Sequence, residues 1–329
     1  MLTTHTNVPK KMANPRVAYG EELLALVATN DKIVVLDADL CKSTMTVLTQ
    51  DKRPDHFVEM GIAEQNMAST GAGLALAGTI PIINSFAVFV TGRCYDQIRQ
   101  AICLPRLNVK VMGSSAGLSD FGDGSTHQSV EDISLMRSIP NMTVIVPCDA
   151  LEVRKALRAI VEYDGPVYLR IGRSDVPTIT EESTPFAIGK LLRLAEGDDV
   201  AILATGVMVA EALKARALLE AMHISARVVN VSTLKPLPTN AVLEEVVGVK
   251  GVVTAEEHSV IGGLGSAVAC ALRRHRLPIE FVGIQDSFGI SGMNHHELLV
   301  HYGLTAEAIA DAAKNLLSGR AGFASPQAA

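Results

Sequence analysis

The sequence has no excess of basic residues, no long apolar run and no paired cysteines. Lys and Arg number 29 against 35 Asp and Glu, for a formal charge of −6, so nothing marks a nucleic-acid surface. The one basic cluster, Arg273-Arg274-His275-Arg276, closes an expected helix and reads as charge complementing that helix's C-terminus. No uninterrupted apolar stretch reaches about 18 residues, so no membrane span is expected. The opening residues, MLTTHTNVPKKMANP, lack the apolar centre of a secretory signal. Cys41, Cys94, Cys103, Cys148 and Cys270 form no C-x-x-C pair. They fit buried thiols in a reducing cytoplasm rather than a disulfide frame or zinc site, and a cytoplasmic location is expected. No internal repeat or low-complexity segment occurs.

What is present is length and apolar content enough for about two domains: 329 residues, 48% of them hydrophobic. Residues 1–13 read as a loose tail. From residue 14 to 175, buried runs of strand type (33–36, 81–84, 109–112, 143–146, 167–171) alternate with helical patterns (16–29, 94–102, 150–163). Another strand end precedes residue 61, giving six strands of a parallel sheet covered on both faces. Residues 176–187 carry two prolines with hydroxyls and acids, a linker signal. A second alternation fills 188–329: strands at 200–203, 226–231, 252–254 and 279–284, helices at 207–222, 239–247, 265–274 and 305–317. Asn294 with Glu297 resembles a capping box, and Gly303 a helix stop. The fold class is therefore α/β, with two parallel-sheet domains.

The stretch HFVEMGIAEQNMASTGAGLALAG (residues 56–78) reads as a strand end entering a helix of small residues. Glu64 is the only acid between Gly61 and Gly78. Ala63, Met67, Gly71 and Leu74 recur at helical spacing. Three glycines cost helix propensity, about 1 kcal/mol each, so close packing against another backbone is expected. Glu64 then either compensates the helix dipole or is a buried acid working on a ligand.

Other signals stay open on pattern alone. GGLGSAV (262–268) approaches a dinucleotide fingerprint but lacks its third glycine and the ribose acid, and reads as a tight helix start. Asp123 and His127, four residues apart in a glycine-bearing loop, suit proton transfer or hydroxyl binding as well as a solvated loop. His258, His295, His296 and His301 fit no zinc spacing and read as helix surface. Asp37, Asp39 and Ser43 follow a strand's carboxyl end, where open α/β sheets hold ligands. Asp39 is equally a turn former there, and Phe86 and Phe89 equally ordinary core.

Taken together, GIAEQNMAS, SFAVFVTGRCYDQIR, GDGSTHQSVEDISLMRSIPNM, VIVPCDA and YLRIGRS resemble the transketolase pyrimidine-binding domain. AEEHSVIGGLGSAVA and HHELLVHYGLTAEAI resemble the transketolase C-terminal domain. The likeness spans residues 14–318. Gly122-Asp123-Gly124 does not extend to the family's metal and diphosphate motif, because Asn141 comes too early and the next asparagine is Asn230. The chain thus resembles the C-terminal subunit of a split transketolase.

That resemblance implies a set of roles. Glu64 matches the glutamate bonded to the aminopyrimidine ring nitrogen of thiamine diphosphate, where a shared proton favours the imino tautomer. Phe86 and Phe89 match the aromatic wall around that ring. Asp39 matches an aspartate beside the thiazolium. His127 and Asp123 match residues that bind sugar hydroxyls near the reacting carbons. Arg16, Ser43 and Arg173 match those holding a terminal phosphate. It further implies thiamine diphosphate shared with a separate N-terminal subunit, Mg2+ or Ca2+ held by that partner and none by this chain, and an α2β2 heterotetramer. Three departures stand out: Ser115 in place of a phosphate-binding histidine, Ser119-Asp120-Phe121 in place of a glycine-bearing approach, and Gly92 as an extra residue. They point to an altered anion or a branched or modified sugar. The expected activity is transfer of a two-carbon ketol unit. The rivals are the beta subunit of a 2-oxo acid dehydrogenase's decarboxylating component, and a non-catalytic interaction subunit.

Overall fold

The computed structural model describes residues 11–319. In chain order the strands are β1 (Met12–Ala13), β2 (Ile33–Asp37), β3 (Phe57–Glu59), β4 (Ile80–Phe86), β5 (Lys110–Ser114), β6 (Thr143–Ile145), β7 (Val167–Arg170), β8 (Val176–Pro177), β9 (Leu192–Ala195), β10 (Val200–Ala204), β11 (Ala226–Asn230), β12 (Thr233–Lys235), β13 (Val252–Ser259) and β14 (Ile279–Ile284). Two main sheets form, ordered β12-β6-β7-β5-β4-β2-β3 and β14-β13-β10-β11-β9.

Both are parallel apart from one antiparallel edge each, β12 and β9. The runs Ile33–Asp37, Val167–Arg170 and Val200–Ala204 are apolar almost throughout because helices cover both faces of their sheets. All six expected strands of the first sheet are present. The seventh, β12, comes from beyond the linker: Thr233 pairs with Ile145. Its three residues carry too little pattern to be read as a strand. The two units also share one core, in which Val144, Val146 and Leu203, Val229 and Val231 belong to a single buried cluster.

The opening segment departs from expectation. Residues 1–10 lie outside the described residues, but Met12 and Ala13, expected in a loose tail, pair with Pro177 and Val176. This two-strand clasp ties the start of the chain to the linker. The linker is fastened further, because Asp149 accepts from the amides of Ile179 and Thr180 at 2.7 and 2.6 Å.

Helix starts follow their capping residues. Asn14 Oδ1 accepts from the amides of Arg16 and Val17, with Pro15 as first residue of the helix Pro15–Val27. Asn294 Oδ1 likewise accepts from the Glu297 amide at the head of His295–His301. Among the described residues no helix is long and apolar enough to cross a membrane.

Buried charge bridges the two units. The Arg170 Nε donates to Asp132 Oδ2 at 2.8 Å, and Tyr168 donates its hydroxyl to the same oxygen at 2.7 Å. Glu257, on β13, accepts from the Leu118 amide at 2.9 Å, lies 3.7 Å from the Arg170 guanidinium and contacts His295 at 2.6 Å. Arg170, Asp132, Glu257 and His295 are all buried, so His295 is an interface residue and not the helix surface expected for it. His258 is buried as well, its Nε2 accepting from the Ser134 amide at 3.3 Å. His296 and His301 are exposed, as expected.

Candidate functional site

Parallel pairing places the carboxyl ends of β2, β4, β5 and β7 along one edge of the first sheet. Segments that leave those ends necessarily meet there. They carry Asp39, Phe86 with Phe89, residues 115–127, and Arg173. The N-terminus of the helix Glu64–Leu76 reaches the same edge, because β3 pairs with β2.

Glu64 is the first residue of that helix and is 3% exposed. The expected close packing of these glycines against another backbone is not found; Gly71 packs instead against side chains of β4. A Cβ on Gly71 would sit 2.9 Å from Ile83 Cγ2, so close approach to β4 requires glycine there. Gly73 meets open space, and Gly78 follows the helix with φ +91°.

The Glu64 carboxylate is engaged by a residue that sequence reasoning left unassigned. Arg93 Nη1 donates to Glu64 Oε1 at 2.8 Å, and the Arg93 guanidinium lies 5.1 Å above the Phe89 ring centroid. Arg93 ends a π-helical turn, Phe89–Arg93. A second such turn, Ile98–Cys103, follows a single α-helical turn, Tyr95–Gln97. A helix was expected over 94–102. The extra residue Gly92 lies inside the first π turn, and a π turn is how a helix absorbs one inserted residue. The inserted residue was the legible signal for this geometry.

Phe86 and Phe89 stack, with centroids 5.9 Å apart and rings 11° from parallel. The His127 ring stands edge-on to both, at 6.2 and 5.4 Å. Its Nδ1 is engaged by Thr126 Oγ1 at 2.9 Å, which leaves Nε2 for a ligand. Arg173 continues the row, its guanidinium carbon 6.0 Å from the Phe86 centroid.

At this far end Arg173 Nη1 pairs with Asp120 at 2.9 Å and lies 3.9 Å from Asp123. Asp120 is 3% exposed. Burial raises its pKa, Arg173 opposes that, and the neighbouring Asp123 adds to it. Arg16 Nη1 donates to the backbone oxygen of Ser43 at 3.0 Å. Burial and Arg173 lower the Arg16 pKa, while Asp120 and Asp175 raise it. Asn14 links the two sides, donating Nδ2 to the Arg173 carbonyl and to Asp175 Oδ1.

Eight of the nine expected site residues therefore join one row through the contacts above: Glu64, Phe89, Phe86, His127, Asp123, Arg173, Arg16 and Ser43. Asp39 does not join it. It sits exposed on the turn after β2 with φ +60°, its amide donating to Glu59 Oε1 at 2.9 Å. The buried acid of this turn is Asp37, one of the three polar residues read at this strand end. It accepts from the Leu40 amide and from the Thr44 and Thr46 hydroxyls at 2.7, 2.7 and 2.8 Å, holding the loop that carries Ser43. Burial pushes its pKa up to about 6 against those three donors.

The glycine-rich 262–268 segment opens the helix Leu264–Leu272, as expected of a tight helix start. Glu256 Oε2 and Oε1 accept from the Leu264 and Gly265 amides at 2.6 and 2.8 Å. The chain's own carboxylate thus fills the place an anion would take at that helix start. Among the described residues no group of three or more His, Cys, Asp or Glu side chains is arranged to hold a metal ion.

A flat ring bearing N–H groups fits the Glu64 end. Arg93 already shows the chemistry, being a planar N–H donor laid on Phe89 and bonded to a buried carboxylate. The aminopyrimidine of thiamine diphosphate has that flat shape, with an exocyclic N–H donor and a ring nitrogen able to share a proton with a carboxyl group.

Residues 11–178 match the family of the transketolase pyrimidine-binding domain, and residues 189–309 that of the transketolase C-terminal domain. A putative transketolase C-terminal section from Methanocaldococcus jannaschii is 44% identical over 90% of this chain and 93% of its own length. A 6-deoxy-6-sulfo-D-fructose transketolase subunit from a Clostridium species is 43% identical over 91% and 92%. A solved structure described as a split gene transketolase, inactive beta4 tetramer, is 46% identical with TM-score 0.85, covering 92% of this chain and 98% of that one.

Proposed function

Because this chain belongs to the transketolase family, as pyrimidine-binding and C-terminal domains, we propose that it is the C-terminal subunit of a split transketolase. Together with a separate N-terminal subunit it moves a two-carbon ketol unit from a ketose to an aldose. The observation that carries this is the row running from Glu64 through the Phe86–Phe89 wall to His127 and Arg173. The putative C-terminal section that this chain covers to 93% of its length supports a separate partner supplying the diphosphate half, with Mg2+ or Ca2+, in an α2β2 assembly.

Glu64, Phe86 and Phe89 would hold the pyrimidine ring of thiamine diphosphate. When bound, that group supplies a nucleophilic carbon and an electron sink for breaking the bond beside a carbonyl. Glu64 Oε2, the oxygen not engaged by Arg93, would face the ring nitrogen and share a proton with it. The stacked phenylalanines would offer the ring an apolar wall. His127 Nε2 and the exposed Asp123 carboxylate meet sugar hydroxyls near the reacting carbons. Arg16, Ser43 and Arg173 take the sugar's far end. A row of hydroxyl- and tail-binding groups beyond the aromatic wall favours a sugar over the short oxo acid of a decarboxylating dehydrogenase.

The test assays this chain, the N-terminal partner and their mixture with thiamine diphosphate and Mg2+. Ketol transfer is expected from the mixture only. Transfer by this chain alone overturns the split assignment, and reduction of a lipoyl domain by the mixture favours the dehydrogenase.

A further inference from the structure

The far end of the row has an unusual charge balance for a place that holds the tail of a sugar. Two guanidiniums, Arg16 and Arg173, face three carboxylates, Asp120, Asp123 and Asp175. Arg173 is already paired, at 2.9 Å, to Asp120, whose side chain is 4% exposed and therefore poorly screened by water or salt. A dianion placed against Arg173 brings its charge up to that buried carboxylate.

The remaining groups at this edge are one cationic donor and two neutral hydroxyls. Arg16 Nε is buried with no acceptor, and the Ser114 and Ser115 hydroxyls are buried with no partner among the described residues. Ser114 pairs with Phe86 across β4 and β5, so their side chains share one face of the sheet. Ser115 follows it with φ +52° and brings a neutral hydroxyl, not a cation, to the edge.

We propose that Asp120 makes this site select a ketose or aldose with an uncharged, hydroxyl-bearing terminus over one ending in a phosphate dianion. The selection works by repulsion: Asp120 occupies Arg173 and meets an incoming dianion with like charge. This rests on the transketolase reading above and names its substrate class. A carboxylate beside an arginine has one other use, orienting the guanidinium for an anion, and that use has the opposite consequence on removal.

The experiment uses the complex with its N-terminal subunit, thiamine diphosphate and Mg2+, and two donors differing only at the terminus, D-xylulose and D-xylulose 5-phosphate, with glycolaldehyde as acceptor. For the native chain kcat/KM is expected to favour D-xylulose by about tenfold or more. Asp120→Asn is expected to move that ratio toward the phosphate ester by about tenfold or more. A native preference for the ester overturns the inference without any variant. So does an Asp120→Asn complex that loses the ester more than the free sugar, since Asp120 then only orients Arg173. Turnover of neither donor by the assembled complex overturns the transketolase reading, and this inference with it.

Discussion

Arg93 donates to Glu64 Oε1 at 2.8 Å while its guanidinium lies 5.1 Å from the Phe89 ring centroid, so one cation ties the buried acid to the aromatic wall. The pair leaves one carboxylate oxygen held and the other available. Orientation of that second oxygen is thus set by a residue on the inserted π turn.

Replacing Arg93 by Met keeps an apolar cover on Phe89 and removes the donor. The Glu64 carboxylate is then free to rotate, and kcat/KM of the reconstituted complex is expected to fall about 10- to 100-fold. Arg93→Lys should recover part of the loss. Native activity in Arg93→Met would show that Glu64 needs no such partner.

His127→Ala should separate sugar from cofactor. His127 Nε2 is free to meet hydroxyls, whereas the ring touches the phenylalanines only by its edge. We expect kcat/KM for the ketose to drop about tenfold or more. Calorimetric affinity for thiamine diphosphate in the complex should change by less than about twofold. Equal losses in both would remove the hydroxyl-binding role.

Asp37 makes stability depend on pH. Its carboxyl is pushed up to about 6 by burial, from an ordinary 3.8. Between those values the folded chain holds a proton that the unfolded chain has lost. Stability therefore falls as pH rises through this window, by on the order of 3 kcal/mol at most. Asp37→Asn removes that slope. His258, pushed down to about 4 by burial, slopes the other way in both proteins and cancels in the comparison. Urea midpoints at pH 4.5 and 7 should show the variant gaining on the native chain at the higher pH; parallel curves would refute it.

Arg170 stands between two buried acids, Asp132 and Glu257, on opposite sides of the junction between the units. Arg170→Met leaves both without their cation and should cost about 3–5 kcal/mol in urea unfolding. Adding Asp132→Asn should return part of this, since one buried charge is then gone. Full additivity of the two changes would mean they do not interact.

The strands were legible because parallel strands buried on both faces leave uninterrupted apolar runs, as in Ile33–Asp37 and Val200–Ala204. Capping chemistry gave Asn294 and Gly303 for the same local reason. Less accessible was anything that depends on distant partners. The strand β12 is three residues long and meaningful only beside β6. His258 and His295 carry no mark of burial, since their cover comes from Ser134 and Glu257 in other elements. Glu64 and the two phenylalanines were found through motif likeness. Arg93 lay in one of those motifs, yet its role depends on a helical turn that wraps one residue too many. Asp120 was visible only as a departure, and its meaning needed the position of Arg173.

The crossing of β12 into the first sheet has a bearing on how this polypeptide can be cut. A fragment ending in the linker would keep the pyrimidine-side residues yet lose the strand that covers β6, baring a row of unanswered amides and carbonyls. Such an open border recruits neighbouring molecules. The piece that looks separable by its motifs would then clump when made alone, and a later cut after Lys235 would in turn part β10 from β13, so the polypeptide is best kept whole.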